Sequence, residues 1–189
     1  MRKFVVALAI FTIAACAAAE QTNIVGFAGI SQSLTYQFTD DLGQQTDQNL
    51  GTNKTFKVTF GQTTNQMNII WSGRITLTEG ATRTLDLAGG LTNRFGKPIT
   101  FTGVKWLQVN VAGQNSGTVR MGDEIAHWAT FLGGTNQSVA LLPDVGFQLI
   151  CPGTNIYTVT AATGDLLKFE NEAPAYTNII DVFIGGIGN

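Results

Sequence analysis

Asn68-Ile69-Ile70-Trp71-Ser72-Gly73-Arg74-Ile75-Thr76-Leu77-Thr78 sets Ile69, Trp71, Ile75 and Leu77 on one side of an extended chain, and Asn68, Ser72, Arg74, Thr76 and Thr78 on the other. A period of two is that of a strand with one face in a core and one in water. Gly73 falls inside the apolar face and marks a place for a kink. Just upstream, Thr55-Phe56-Lys57-Val58-Thr59-Phe60 alternates in the same way, with Phe56, Val58 and Phe60 on one face. The polar stretch 61–66 between the two predicts a hairpin in which these strands face each other. Burying a Phe contributes roughly 1.5–3 kcal/mol, so Phe60→Asp is expected to abolish folding.

The same alternation recurs outward from there. Ile99-Thr100-Phe101-Thr102 alternates and the phase changes at Gly103. Leu107, Val109 and Val111 then alternate with Gln108 and Asn110. Glycine at a phase change predicts a β-bulge. Short apolar runs follow at 139–142, 145–151, 156–161, 166–169 and 179–184, set apart by Gly133-Gly134, Pro143-Asp144, Pro152-Gly153 and Thr163-Gly164-Asp165. Strands at spacings of roughly 8–12 residues predict an all-β fold, an antiparallel β-sandwich of jelly-roll type. The single helical candidate is 123–132, with a further strand as the alternative. The Gln- and Asn-rich stretch 40–54 has no period and is expected to be a long hairpin loop or a seam. One domain over 20–189 follows, with 20–66 an N-terminal arm or hairpin. Residues 181–189 end as a strand and a glycine tail, expected to close the sheet.

Composition agrees with strands. Charged residues make up 13% of the 189, and 22 are Gly. Long helices need charged outer faces that this chain lacks, and its apolar content is too high for charge-driven disorder. A formal net charge of −2 argues against nucleic acid as a partner.

Met1-Arg2-Lys3 is a basic start, and residues 4–19 carry no charge. As a helix that segment would reach about 24 Å, short of the roughly 30 Å hydrocarbon core. With Ala17-Ala18-Ala19 it reads as a signal peptide cut before Glu20. Ile13-Ala14-Ala15-Cys16 offers a second route, a lipobox with Cys16 lipidated. Retention of 1–19 as an anchor or assembly arm is the third. Contact with a membrane is expected only if the segment is retained or Cys16 carries a lipid. Once 1–19 is removed, Cys151 is the one cysteine, so no intrachain disulfide can form. Cys151 is expected to be a small buried apolar residue.

Catalytic constellations are missing. His127 is the only imidazole, and no Gly-x-Ser-x-Gly elbow, zinc spacing, phosphate loop or EF-hand pattern occurs. Glu124 and His127 would share a helical face but need further ligands to hold a metal. The close acidic pairs, Asp40-Asp41 and Glu170-x-Glu172, read as solvated, as does Asp165 in its turn. No enzyme, metal site or cofactor is expected. Trp71 shares its face with core residues. Trp106 precedes Leu107 and therefore points outward, which makes it the candidate interaction residue, against a second sheet, a subunit or a glycan. Sheet surfaces so poor in charge suit packing against other chains, or glycan contact, better than solvation alone.

The stretch Thr84-Leu85-Asp86-Leu87-Ala88-Gly89-Gly90-Leu91-Thr92-Asn93-Arg94-Phe95-Gly96-Lys97-Pro98-Ile99-Thr100-Phe101-Thr102-Gly103-Val104-Lys105 resembles a segment of small tailed-phage virion proteins. Their order continues with an apolar strand (107–111 here), a Pro-Gly turn (Pro152-Gly153), Thr158-Val159-Thr160, Thr163-Gly164-Asp165 and a last strand ending in Ile-Gly (181–185). The similarity spans about 75–187. It implies a β-sandwich structural protein of a head, tail or fibre: a virion decoration, minor capsid or fibre component that self-associates and contacts other structural chains. It carries no catalytic residue across. The alternative is an exported bacterial surface or glycan-binding module, secreted, periplasmic or lipid-anchored at the cell envelope.

Overall fold

A computed structural model describes residues 25–39, 45–112, 117–122, 124–133, 137–151, 153–173 and 175–189, with the backbone course alone over 25–55. The apolar segment 1–19 with Cys16, the Asp40-Asp41 pair, Asp123, Gly134 and Pro152 lie outside the described residues.

The chain opens with two long strands, β1 (Val25–Thr39) and β2 (Gln45–Phe60), then β3 (Gln66–Met67) and β4 (Ile69–Leu77). Next come β5 (Thr82–Asp86), β6 (Leu91–Thr92), β7 (Pro98–Ile99) and β8 (Phe101–Val111). After β9 (Val119–Gly122) a single 3-10 turn at Thr130–Leu132 precedes β10 (Ser138–Leu141), β11 (Gly146–Ile150), β12 (Tyr157–Thr158), β13 (Leu166–Asn171) and β14 (Asn178–Gly188). Among the described residues there is no α-helix.

One sheet runs β10-β9-β13-β5, and the facing sheet runs β11-β8-β14-β4, with β12 also on β8. Setting aside the two-residue strands and the N-terminal pair, the remaining eight strands can be counted one to eight along the chain. The sheet orders become 5-4-7-2 and 6-3-8-1. First pairs with last, second with seventh, third with sixth and fourth with fifth. That is a long antiparallel ribbon rolled on itself, the jelly roll of two Greek keys. The inward residues of each sheet make one core: Leu85, Val119, Met121, Leu141, Leu167 and Phe169 from one side, and Leu77, Phe101, Leu107, Val109, Ile180, Val182 and Ile184 from the other. Trp128, 1% exposed, fills the end of this core between Phe131 and Tyr157.

Several expectations are corrected here. The strands around 56–60 and 69–77 do not face each other. β4 pairs with β14, while β2 pairs with β1 and, in parallel, with β3. The 61–66 turn exists, but Thr59 N–H bonds the Asn65 carbonyl and Gly61 N–H the Met67 carbonyl, which sends the chain forward beside β2. Phe60 is 43% exposed and belongs to no core. Most of 40–54 is strand, since β2 starts at Gln45. β14 does not close a sheet; it lies between β8 and β4. Residues 124–129 form turns, not helix or a named strand. β4 keeps register through Gly73, whose missing Cβ leaves room for the Trp71 ring.

The phase change in β8 is real and lies around Gly103. Opposite β14, Thr102 and Lys105 are the extra residues, so the bulges bracket Gly103-Val104. The second bulge sets Lys105 beside Trp106, under the 61–66 turn and the Val58–Met67 cap. It is 3% exposed, and its ammonium donates to the carbonyls of Thr63, 2.6 Å, and Gly153, 3.1 Å.

Candidate functional site

The outer face of the β11-β8-β14-β4 sheet carries the residues that the alternation turned away from the core. Registers set them in rows. Ile150, Trp106, Gly185 and Ile70 form one; Gln148, Gln108, Phe183 and Ser72 the next; Gly146, Asn110, Asp181 and Arg74 the third. The first row is apolar and is capped by Val58 and Met67 from the base of the N-terminal strands. A side chain at Gly185 would run into the Met67 sulfur, so glycine there lets the cap seat. The other two rows stay open to water as a groove of about 420 Å³ lined by Ser72, Arg74, Arg94, Trp106, Gln108, Asn110, Asp181 and Phe183.

Trp106 stands at the boundary. It packs into the capped row, and its ring meets Phe183 diagonally across the strands at 4.7 Å between centroids, inclined by 57°. Diagonal aromatic pairs of this kind stiffen both rings. The outward direction read from the Trp106-Leu107 phase therefore holds, and part of the ring is buried against the neighbouring N-terminal sheet.

At the other end Arg74 grips Asp181 with two nitrogens, Nε to Oδ1 at 2.8 Å and Nη2 to Oδ2 at 2.9 Å. A bidentate pair is held in plane. The Arg74 guanidinium keeps the Asp181 carboxyl below its usual range, through the hydrogen bond and charge together, and the carboxylate raises the Arg74 pKa in return. Gln108 Nε2 lies 3.4 Å from Asn110 Oδ1 on the same strand face. Arg94 enters from the turn between β6 and β7. That turn is fixed by Asn93, whose Oδ1 accepts from the N–H groups of Phe95, 2.9 Å, and Lys97, 3.0 Å. Phe95 at the tip is 61% exposed.

The other sequence candidates do not converge. His127 is 1% exposed and bridges to Leu166 through its backbone, and Glu124 spends Oε1 on the Ile125 N–H. Glu170 pairs with Lys168 at 3.4 Å and Glu172 with Arg120. Asp165, expected to be solvated, is 6% exposed and caps the Ala162 N–H at 2.8 Å. Cys151, expected to be buried, is half-buried, with its Sγ 2.9 Å from the Asn155 carbonyl. Among the described residues no three acidic, His or Cys side chains gather as for a metal.

Arg74, Arg94, Asp181 and Phe183 were not singled out by the sequence. Only the β4–β14 register and the β6–β7 turn bring them beside Trp106.

No family model matches the chain, and neither does any curated protein. Among solved structures it is similar to IMPa from Pseudomonas aeruginosa, determined in complex with an O-glycopeptide. The likeness has 16% identity and a TM-score of 0.30, and covers 66% of this chain and 13% of that one. A likeness so remote carries no argument about this protein.

Proposed function

We infer that this is a non-enzymatic assembly protein, a virion component of decoration, minor capsid or fibre type that associates with copies of itself. The observation that carries the reading is the N-terminal ribbon. All fifteen residues of β1 pair with β2, from Val25 opposite Thr59 to Thr39 opposite Gln45, and among the described residues only Thr59 and Phe60 at the base join a third strand. A two-stranded ribbon is marginally stable alone in water. Its open edges offer a row of hydrogen-bonding groups to a neighbouring chain, the geometry of strand addition. The jelly roll supports the reading at the level of fold, since viral capsid domains use it, though lectins do too. The resemblance over 75–187 supports it independently.

The test is light scattering of the full chain at micromolar concentration, with hydrogen exchange read over 25–39. Oligomers whose β1 amides lose protection on dilution are expected; a monomer at tens of micromolar would sink self-association. Intact mass of the chain from a particle fraction tests the virion part. A chain beginning at Met1 or Arg2 inside particles agrees with it, and one beginning at Glu20 or at a lipidated Cys16 in an envelope fraction turns the reading to export. The second reading, a surface glycan-binding module, is favoured by the Trp106–Phe183 groove.

A further inference from the structure

The geometry points to the outer-face groove as a binding site for an acidic saccharide, one whose sugar ring bears a carboxylate. This rests on the glycan reading of the groove and is independent of whether the chain assembles.

Three features combine. Sugars present a face of C–H groups and a rim of hydroxyls, and the Trp106–Phe183 pair supplies a rigid apolar wall at one end of the groove. Beside that wall stand side-chain amides, Gln108 and Asn110, on alternate positions of β8 and hence pointing the same way. Amides both donate and accept, which suits hydroxyls. About 420 Å³ is within the range of small-ligand sites, and the groove is open to solvent.

The charge balance selects the kind of sugar. Among the described residues Asp181 is the one acid lining the groove, and both of its oxygens are taken by Arg74. Arg94 is the second cation there, and among the described residues the groove holds no second acid to neutralise it. The site thus carries one net positive charge on a protein whose formal charge is −2. A guanidinium is a planar fork of donors that matches a carboxylate in two bonds. Asn93 fixes the backbone of the turn that presents it, so the ordering on this side of the groove falls on the Arg94 side chain alone.

The experiment is a glycan array probed with the full-length chain, bearing uronic-acid, sialic-acid and neutral oligosaccharides. Calorimetry then compares the best acidic hit with its methyl ester. The acid is expected to bind at least tenfold more tightly than the ester. Arg94→Gln, at an exposed turn tip, is expected to bring that ratio close to one, with far-ultraviolet circular dichroism unchanged. Trp106→Ala and Phe183→Ala, checked for folding in the same way, are expected to weaken binding. If acid and ester bind alike, or Arg94→Gln keeps the preference, the acidic-saccharide inference falls while glycan binding stands. An array with no hits, acidic or neutral, overturns both.

Discussion

The side-chain amide of Asn178 donates to Asn171 Oδ1 at 2.7 Å, across the boundary between the two sheets, with both residues no more than 2% exposed. Asn171 Oδ1 also accepts from the Ala173 N–H at 2.9 Å. Its amide nitrogen is directed at the carbonyls of Leu77, Thr78 and Tyr176 at 3.1, 2.8 and 2.7 Å. One side chain on β13 thus ties together the end of β4, the approach to β14 and its own strand. Asn171→Leu keeps the volume and strips every one of these partners. Each buried polar group left without a bond costs about 1–3 kcal/mol, so a loss on the order of 3 kcal/mol or more is expected in urea unfolding. A loss below about 1 kcal/mol would show the network to be dispensable.

How much of this was legible beforehand can be judged from Trp106. Its outward direction follows from the phase of Leu107, Val109 and Val111, a local property that alternation reports. Its neighbours do not follow from any local property. Arg74 and Asp181 are 107 positions apart and meet only because the roll pairs the first strand of the body with the last. Alternation says which face a residue occupies and nothing about which strand lies alongside. The same gap explains the expected pairing of the strands around 56–60 and 69–77. They are adjacent in sequence and joined by a true turn, yet β4 finds its partner more than a hundred residues later. Phe60 looked like core because it continues the Phe56-Val58 face, but it stands past the edge of what that face covers.

Gly186 lies opposite Val104, between the two bulges of β8. A Cβ there would collide with the Gly103 carbonyl oxygen, a backbone atom that cannot swing aside. Gly186→Ala is expected to force the bulged ladder apart and to cost at least about 2 kcal/mol, as overpacking does. Gly89, exposed in the turn after β5, has open space around its Cβ direction. Gly89→Ala is expected to be neutral or to stabilise by about 0.4–1 kcal/mol by restricting the unfolded chain. Paired thermal melts check both, and a Gly186→Ala protein as stable as the parent would contradict the close approach.

Phe60 and Phe101 separate exposed from buried aromatic character. Phe101 is 1% exposed and Phe60 43%. Phe101→Ala is expected to cost about 3–5 kcal/mol. Phe60→Asp is expected to keep a cooperative thermal transition and to shift stability by no more than about 0.5 kcal/mol, as surface changes do. A non-cooperative Phe60→Asp melt would mean that the base of the N-terminal ribbon holds the body together.

Lys105 offers a test by pH. Burial lowers its pKa from the ordinary 10.5, with the neighbouring Cys151 charge acting in the opposite sense. Below the folded-state pKa both folded and unfolded chains hold the proton, and the cost of burying the ammonium is fully present. Between that pKa and 10.5 the unfolded chain holds more protons than the folded one, so this group makes stability rise with pH. The amine that remains still donates to Thr63 and Gly153. In Lys105→Met those two carbonyls lose their donor, at a cost of about 1–3 kcal/mol each if they stay dry, and the group can no longer titrate. The stability of the parent minus that of the variant, both carrying Cys151→Ser so that the coupled thiol does not titrate, is therefore expected to be positive at pH 7 and to grow as pH approaches 10. Urea midpoints at four values of pH measure it. A difference that stays flat or shrinks would show that the Lys105 ammonium is solvated after all.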